Sequence, residues 1–114
     1  MDVTVTVSVD ETNPAKKVVS ISVDKEPVDL RGLPDDEEIL WTVQPDPWMF
    51  TQDASGSTGI EIKSHHGRFT NKKGTGRKHH KWKRKNRGGG THRYTISVTD
   101  GTNTLIWDPT IQND

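Results

Sequence analysis

Val3, Val5, Val7 and Val9 alternate without a break with Thr4, Thr6 and Ser8. A period of two puts all four valines on one side of the chain only if the backbone is extended, so the opening segment is dictated as a strand with one buried face. The same alternation returns at Val19, Ile21 and Val23, at Ile39, Trp41 and Val43, at Ile60 and Ile62, and at Tyr94, Ile96 and Val98, with Leu105 and Trp107 closing the pattern. His80, Trp82 and Arg84 share one face of a further segment. Glu11-Thr12-Asn13-Pro14, Arg31-Gly32-Leu33-Pro34, Gln44-Pro45-Asp46-Pro47, Asp53 to Ser57, Gly74-Thr75-Gly76 and Thr99-Asp100-Gly101-Thr102 supply breaks and turns between these runs. No helical stripe of any length interrupts them. The expectation is an all-β fold: one antiparallel β-sandwich of seven to nine short strands over residues 1–114, with a partly open barrel as the alternative.

Composition agrees with strands and limits the core. Thr occurs 14 times and Ala twice, a bias toward extended structure. Leu, Ile, Val and Phe together number 23 of 114 residues, so the core needs its aromatic residues to reach a useful size. Trp41, Trp82 and Trp107 are expected inside. Trp48, between Pro47 and Met49, is expected to pack over an open end, with an exposed contact for sugar or protein as the other reading. The absence of cysteine excludes disulfides, thiolate metal sites and cysteine nucleophiles. No apolar run is long enough to span a membrane, and Met1-Asp2-Val3-Thr4 lacks the start of a signal peptide, so a cytoplasmic location is expected.

A formal net charge of zero conceals a strong segregation. Residues 1–63 carry 13 acids and five bases, while residues 64–93 carry 11 bases, no acid and all five histidines. This stretch is expected as a basic loop or hairpin that meets nucleic acid or another polyanion. If Lys81 to Lys85 is a strand, Trp82 turns inward while Lys81, Lys83 and Lys85 line the opposite face. Residues two apart on a strand are about 6.6–6.8 Å from each other, comparable to the phosphate spacing of a stretched single strand. Arg68, Lys72, Lys73, Arg77, Lys78, Arg84 and Arg87 would meet further phosphates. Few Asn or Gln side chains accompany these cations, so backbone contact with little sequence preference is expected. The competing expectation is a protein-interaction or self-assembly role, in which the acidic run Asp35 to Glu38 neutralises the basic segment within one molecule or between copies.

Histidine raises a metal question at His65, His79, His80 and His92. Pairs such as His65 with His79, or His80 with His92, are candidates on neighbouring strands, because imidazole suits zinc, nickel and copper. Adjacent histidines on a strand point to opposite faces, and no carboxylate falls within the segment, so the expectation is no metal and no cofactor. No nucleophile elbow, Gly-Lys-Ser/Thr phosphate loop or His-Glu-x-x-His pair occurs, and no enzymatic activity is expected. Gly88-Gly89-Gly90 has no helix after it and reads as a hinge.

Several segments resemble small uncharacterised bacterial β-sandwich proteins of immunoglobulin-like or cupredoxin-like shape. They are Ile21-Ser22-Val23-Asp24, Pro27-Val28-Asp29-Leu30, Ile39-Leu40-Trp41 and Gly59-Ile60, together with the tail from Tyr94 to Gly101 and Asp108 to Asn113. The resemblance implies a β-sandwich with Trp82 as a core aromatic, and it implies no activity. The Lys, Arg and His density of residues 64–93 departs from that pattern. A cupredoxin copper site needs a thiolate, which this chain lacks.

Overall fold

In the computed structural model, residues 1–9, 19–52, 59–73 and 77–113 are described. Among them run eleven strands: β1 (Asp2–Val9), β2 (Val19–Val23), β3 (Val28–Asp29), β4 (Glu38–Gln44), β5 (Met49–Phe50), β6 (Ile60–Ile62), β7 (Phe69–Lys73), β8 (His79–Arg84), β9 (Thr91–Thr99), β10 (Thr104–Trp107) and β11 (Thr110–Gln112). The number exceeds the seven to nine expected: β3 and β5 fall where Pro27 to Leu30 reads as extended and where Trp48 and Phe50 read as a short piece, and β11 was not anticipated. The breaks expected at 11–14, 53–57 and 74–76 lie outside the described residues.

Two sheets result. The first has the order β2-β1-β4-β8-β7; the second runs β10-β9-β11-β3, with β5 and β6 also paired to β9. Both are mixed rather than purely antiparallel, because β1 pairs parallel with β4 and β11 pairs parallel with β3. A parallel neighbour requires a crossover, and the 28 residues between β1 and β4, which include β2 and β3, make one.

The alternation seen in the sequence determines what faces inward. Val3, Val5 and Val7 of β1, Ile39, Trp41 and Val43 of β4, and Tyr94, Ile96 and Val98 of β9 are all buried in one core shared by both sheets. Aromatic groups join the sheets across it. The Trp41 indole donates to the Tyr94 hydroxyl at 3.3 Å, with ring centroids 5.2 Å apart and tilted by 53°. The Trp82 indole donates to Ile60 O at 2.9 Å. Each buried aromatic thus has its polar atom satisfied, the condition under which such bulk is useful inside. Trp48 is also buried. Trp107 is not the core residue expected: it is 36% exposed and Ile106 67% exposed. They end an edge strand paired only with β9, where the second sheet runs out.

One buried group is a charge. Arg84 closes the inward row of β8 and is fully buried. Its Nη1 donates to Leu30 O at 2.9 Å and to Asn113 Oδ1 at 3.3 Å; its Nη2 donates to Leu33 O at 2.6 Å and to Pro34 O at 2.7 Å. Asn113, equally buried, passes the link on by donating through Nδ2 to Asn86 O and Gly88 O. A guanidinium among carbonyls keeps its charge while its planar fork reaches several acceptors at once. Arg84 is therefore not among the phosphate-facing cations, as the sequence reading expected; it lies within the scaffold.

Replacing this group tests its structural role. Arg84→Met is expected to lose about 3–5 kcal/mol of stability in guanidinium unfolding, because several buried carbonyls lose their donor together. Arg84→Lys recovers less than half of that loss, since one ammonium cannot span the same acceptors. A loss below about 1 kcal/mol for Arg84→Met would show that the cluster is dispensable.

Candidate anion-binding groove

The basic segment forms β7, β8 and the start of β9 with their connections, so its cations are distributed by strand parity. On β8, His80, Trp82 and Arg84 point inward, and His79, Lys81 and Lys83 point outward. Lys85 falls beyond the end of the strand, and its amide donates to Arg68 O at 2.7 Å. The expected row of three lysines on one strand is thus a row of two followed by a lysine in a loop.

Several of the expected phosphate contacts already have partners. Arg87 pairs with Asp35 and donates to Leu33 O at 2.6 Å, beside the Arg84 cluster. Lys81 meets Glu38 at 3.4 Å. Lys78 holds Asp46 at 2.8 Å and donates to Trp48 O at 2.8 Å, which keeps the Asp46 carboxyl below its ordinary value. The Nε of Arg77 donates to Phe50 O at 3.3 Å. These last two residues hold β5 against the β7–β8 end of the first sheet. The Lys73 side chain lies outside the described residues.

The remaining cations have no ion pair among the described residues: Lys63, Arg68, Lys72, Lys83, Lys85 and Arg93. Three of them converge on a groove of about 460 Å³. The 63–68 segment contributes Lys63, His66 and Arg68 to its lining and the 88–93 segment contributes Gly89, His92 and Arg93; the two segments are joined where Lys63 N donates to Arg93 O at 3.0 Å. No carboxylate of the described residues lines it; Glu61, on β6 two residues before Lys63, is not among the lining residues.

Local backbone geometry builds both segments. In the first, Ser64 and His66 adopt left-handed conformations with φ of 50° and 51°, and Arg68 N donates to His65 O at 2.9 Å. That tight turn connects Lys63, just after β6, to Arg68, just before β7, and both line the groove. In the second, Gly88, Gly89 and Gly90 all have positive φ, a run open to glycine at little cost. The expected hinge is pinned, since Asn113 Nδ2 donates to Gly88 O at 2.8 Å and Asn113 N to Gly90 O at 2.9 Å. Lys63 and Arg93 were missed as site residues in the sequence. Both extend the outward positions of strands whose inward neighbours, Ile62 and Tyr94, were recognised, and that parity was the available signal.

The histidines occupy separate settings. His65 packs edge-on to Phe69 and Trp82, at 6.5 and 5.7 Å between centroids, and His92 packs edge-on to Phe69 at 5.5 Å. His79 shares a hydrogen bond of 3.1 Å with Thr42 on the outer face. His80 lies inside, its Nε2 2.9 Å from Asn71 Oδ1 and its ring edge-on to Phe50. No group of three or more metal-capable side chains forms among the described residues. Neither a known family profile nor a curated protein matches the chain.

His80 carries a pH prediction. Burial pushes its pKa from the ordinary 6.5 down to about 4, so the folded protein holds it neutral. Between these values the unfolded chain binds the proton and the folded chain does not, so stability rises with pH across that window. It is full above about pH 6.5 and falls by up to about 3 kcal/mol on acidification to pH 4. Asp29, Asp46 and Asp100, with carboxyls lowered from 3.8 by their hydrogen bonds, lose their contribution in more acid solution. Urea melts from pH 7.5 to 4 are expected to slope for the natural chain and to flatten for His80→Gln. Equal slopes for the two proteins would remove His80 as the cause.

Proposed function

We propose that this chain is a non-enzymatic binding module that contacts nucleic acid or a related polyanion through backbone charges, with little sequence preference. Its scaffold in this reading is a β-sandwich of immunoglobulin-like or cupredoxin-like shape, a proposal supported by two sheets that share one core. The observation that carries the function is the set of six described cations whose side chains enter neither an ion pair nor one of the structural hydrogen bonds that hold Arg77 and Arg84: Lys63, Arg68, Lys72, Lys83, Lys85 and Arg93. An uncompensated charge on a folded domain costs stability through repulsion and favours a counterion or an anionic partner. Phosphate contacts position a strand without reading bases, and β7 and β8 offer Lys72, at an irregularity in the β7 register, and Lys83, whose partner across the pairing is Thr70.

Assembly by acidic–basic complementarity is the second reading. Lys81 with Glu38 and Arg87 with Asp35 favour its intramolecular form, and they leave fewer acids of that run for a second copy.

Salt dependence tests the first reading. For six phosphate contacts on a single strand, the logarithm of the affinity should fall against the logarithm of salt with a slope of about −4. Fluorescence anisotropy with mixed-sequence oligonucleotides measures it, and Lys83→Ala with Lys85→Ala is expected to reduce the slope by about one to two. Absence of binding at about 50 mM salt, or a flat dependence, would overturn the proposal.

A further inference from the structure

We propose that the groove between Lys63–Arg68 and Gly89–Arg93 is a phosphomonoester site, distinct from the lysines that would follow a strand, and that it prefers a terminal phosphate to an internal phosphodiester. The source of that phosphate, the end of a nucleic-acid strand, rests on the reading above; the chemistry of the groove does not.

The charge count comes first. Lys63, Arg68 and Arg93 bring three positive charges to one groove with no carboxylate among its described lining residues. An internal phosphodiester carries one negative charge and passes its chain in and out through two ester oxygens. A phosphomonoester at neutral pH carries about 1.5–2 negative charges and presents three free oxygens. The richer anion matches both the excess charge and a site closed on one side by the pinned glycine turn.

Geometry gives the second argument. Lys63 and Arg93 are neighbours where Lys63 N donates to Arg93 O at 3.0 Å, and the Arg68 guanidinium lies against the Gly88–Gly89 backbone. The two planar forks suit oxyanions, and the single ammonium adds a mobile third contact. The Ser64 hydroxyl lies in the same lining. The glycine turn approaches closely because position 89 has no side chain. A Cβ at Gly89 would sit 2.7 Å from His92 Nε2 and 3.3 Å from Arg68 Cζ. Glycine there lets the backbone, the imidazole and the guanidinium lie against one another, which keeps the arginine of one segment next to the histidine of the other. The volume of about 460 Å³ exceeds what one phosphate fills and falls within the range of about 300–1,000 Å³ typical of small-ligand sites. There is room for the sugar to which the phosphate is attached.

The test uses the full chain at pH 7.5 and compares a nucleoside 5′-monophosphate, inorganic phosphate and dimethyl phosphate by calorimetry and by amide shifts in NMR. The monophosphate is expected to bind at least about tenfold more tightly than the diester, with shifts confined to residues 63–68 and 88–93. Arg68→Ala, whose side chain takes no part in the buried cluster, should abolish that preference, and the exposed-strand change Arg93→Ala should reduce it. Lys83→Ala with Lys85→Ala should leave it intact. Oligonucleotides bearing a 5′-phosphate or a 5′-hydroxyl complete the set. Binding of both oligonucleotides with equal affinity, and no preference for monoester over diester, would overturn the groove proposal while leaving the polyanion reading standing. Monoester binding that depends on Arg68, without retention of either oligonucleotide, would support the groove and overturn the polyanion reading. Binding of the monophosphate unchanged by Arg68→Ala and Arg93→Ala would place it elsewhere and overturn the groove.

Discussion

The fold depends on a charge held inside it. Arg84 is surrounded by carbonyls from the Leu30–Pro34 turn and by Asn113, which itself binds the Asn86–Gly88 segment. Three separate stretches of chain therefore meet at one guanidinium, β8, the approach to β4 and the residue after β11, and Asn113 ties in a fourth, the glycine turn before β9. Burying a charge is expensive unless it is thoroughly hydrogen-bonded, so this arrangement tolerates little movement of any partner. The same cluster fixes the glycine wall of the groove. Scaffold and candidate site are thus joined through Asn113, and the groove's shape is a consequence of how the core is closed.

Strand parity then divides the basic segment into two populations. Ile39 pairs with Trp82 and Trp41 with His80 in the β4–β8 register. A slip of one residue would drive Lys81 and Lys83 into the core and expose Trp82, so the register is strongly determined by burial alone. With it fixed, the charge of each residue decides its role. Arg84 enters the interior, and Arg87, Lys78 and Lys81 are neutralised at the rim. Lys72, Lys83 and Lys85, with the three groove cations, keep their field. A segment with such uniform composition is therefore functionally heterogeneous.

Much of the fold was legible in the sequence because period-two alternation reports directly on burial. The inward faces of β1, β4, β6 and β9 and the core positions of Trp41 and Trp82 all follow from it. Two-residue strands carry no period, so β3 and β5 were legible only as short extended pieces and β11 not at all. The parallel pairings were equally hidden, since alternation says nothing about which strand lies alongside. Trp107 shows a different limit: alternation identifies a face, whereas burial also requires that the opposing sheet extend far enough to cover it. The candidate site was legible as a charged stretch but not as a place. Parity already put Arg84 on the face of Trp82, but nothing in the sequence supplied the acceptors that let a guanidinium stay there, the carbonyls of residues 30–34. Lys63 belongs to the groove only because of a turn built on left-handed Ser64 and His66.

The charge distribution has a thermodynamic corollary. The pairs at the rim, such as Lys78 with Asp46 and Lys81 with Glu38, are solvent-exposed and each contributes little. They do remove positive charge from the ends of β8 and leave the excess concentrated at the groove and along the outward lysines. Like charges gathered there disfavour the folded state, and the buried cluster beneath them offsets that cost with hydrogen bonds that salt scarcely screens. On the proposed reading, an anion in the groove would relieve that repulsion, and its binding would then add to the stability of the fold.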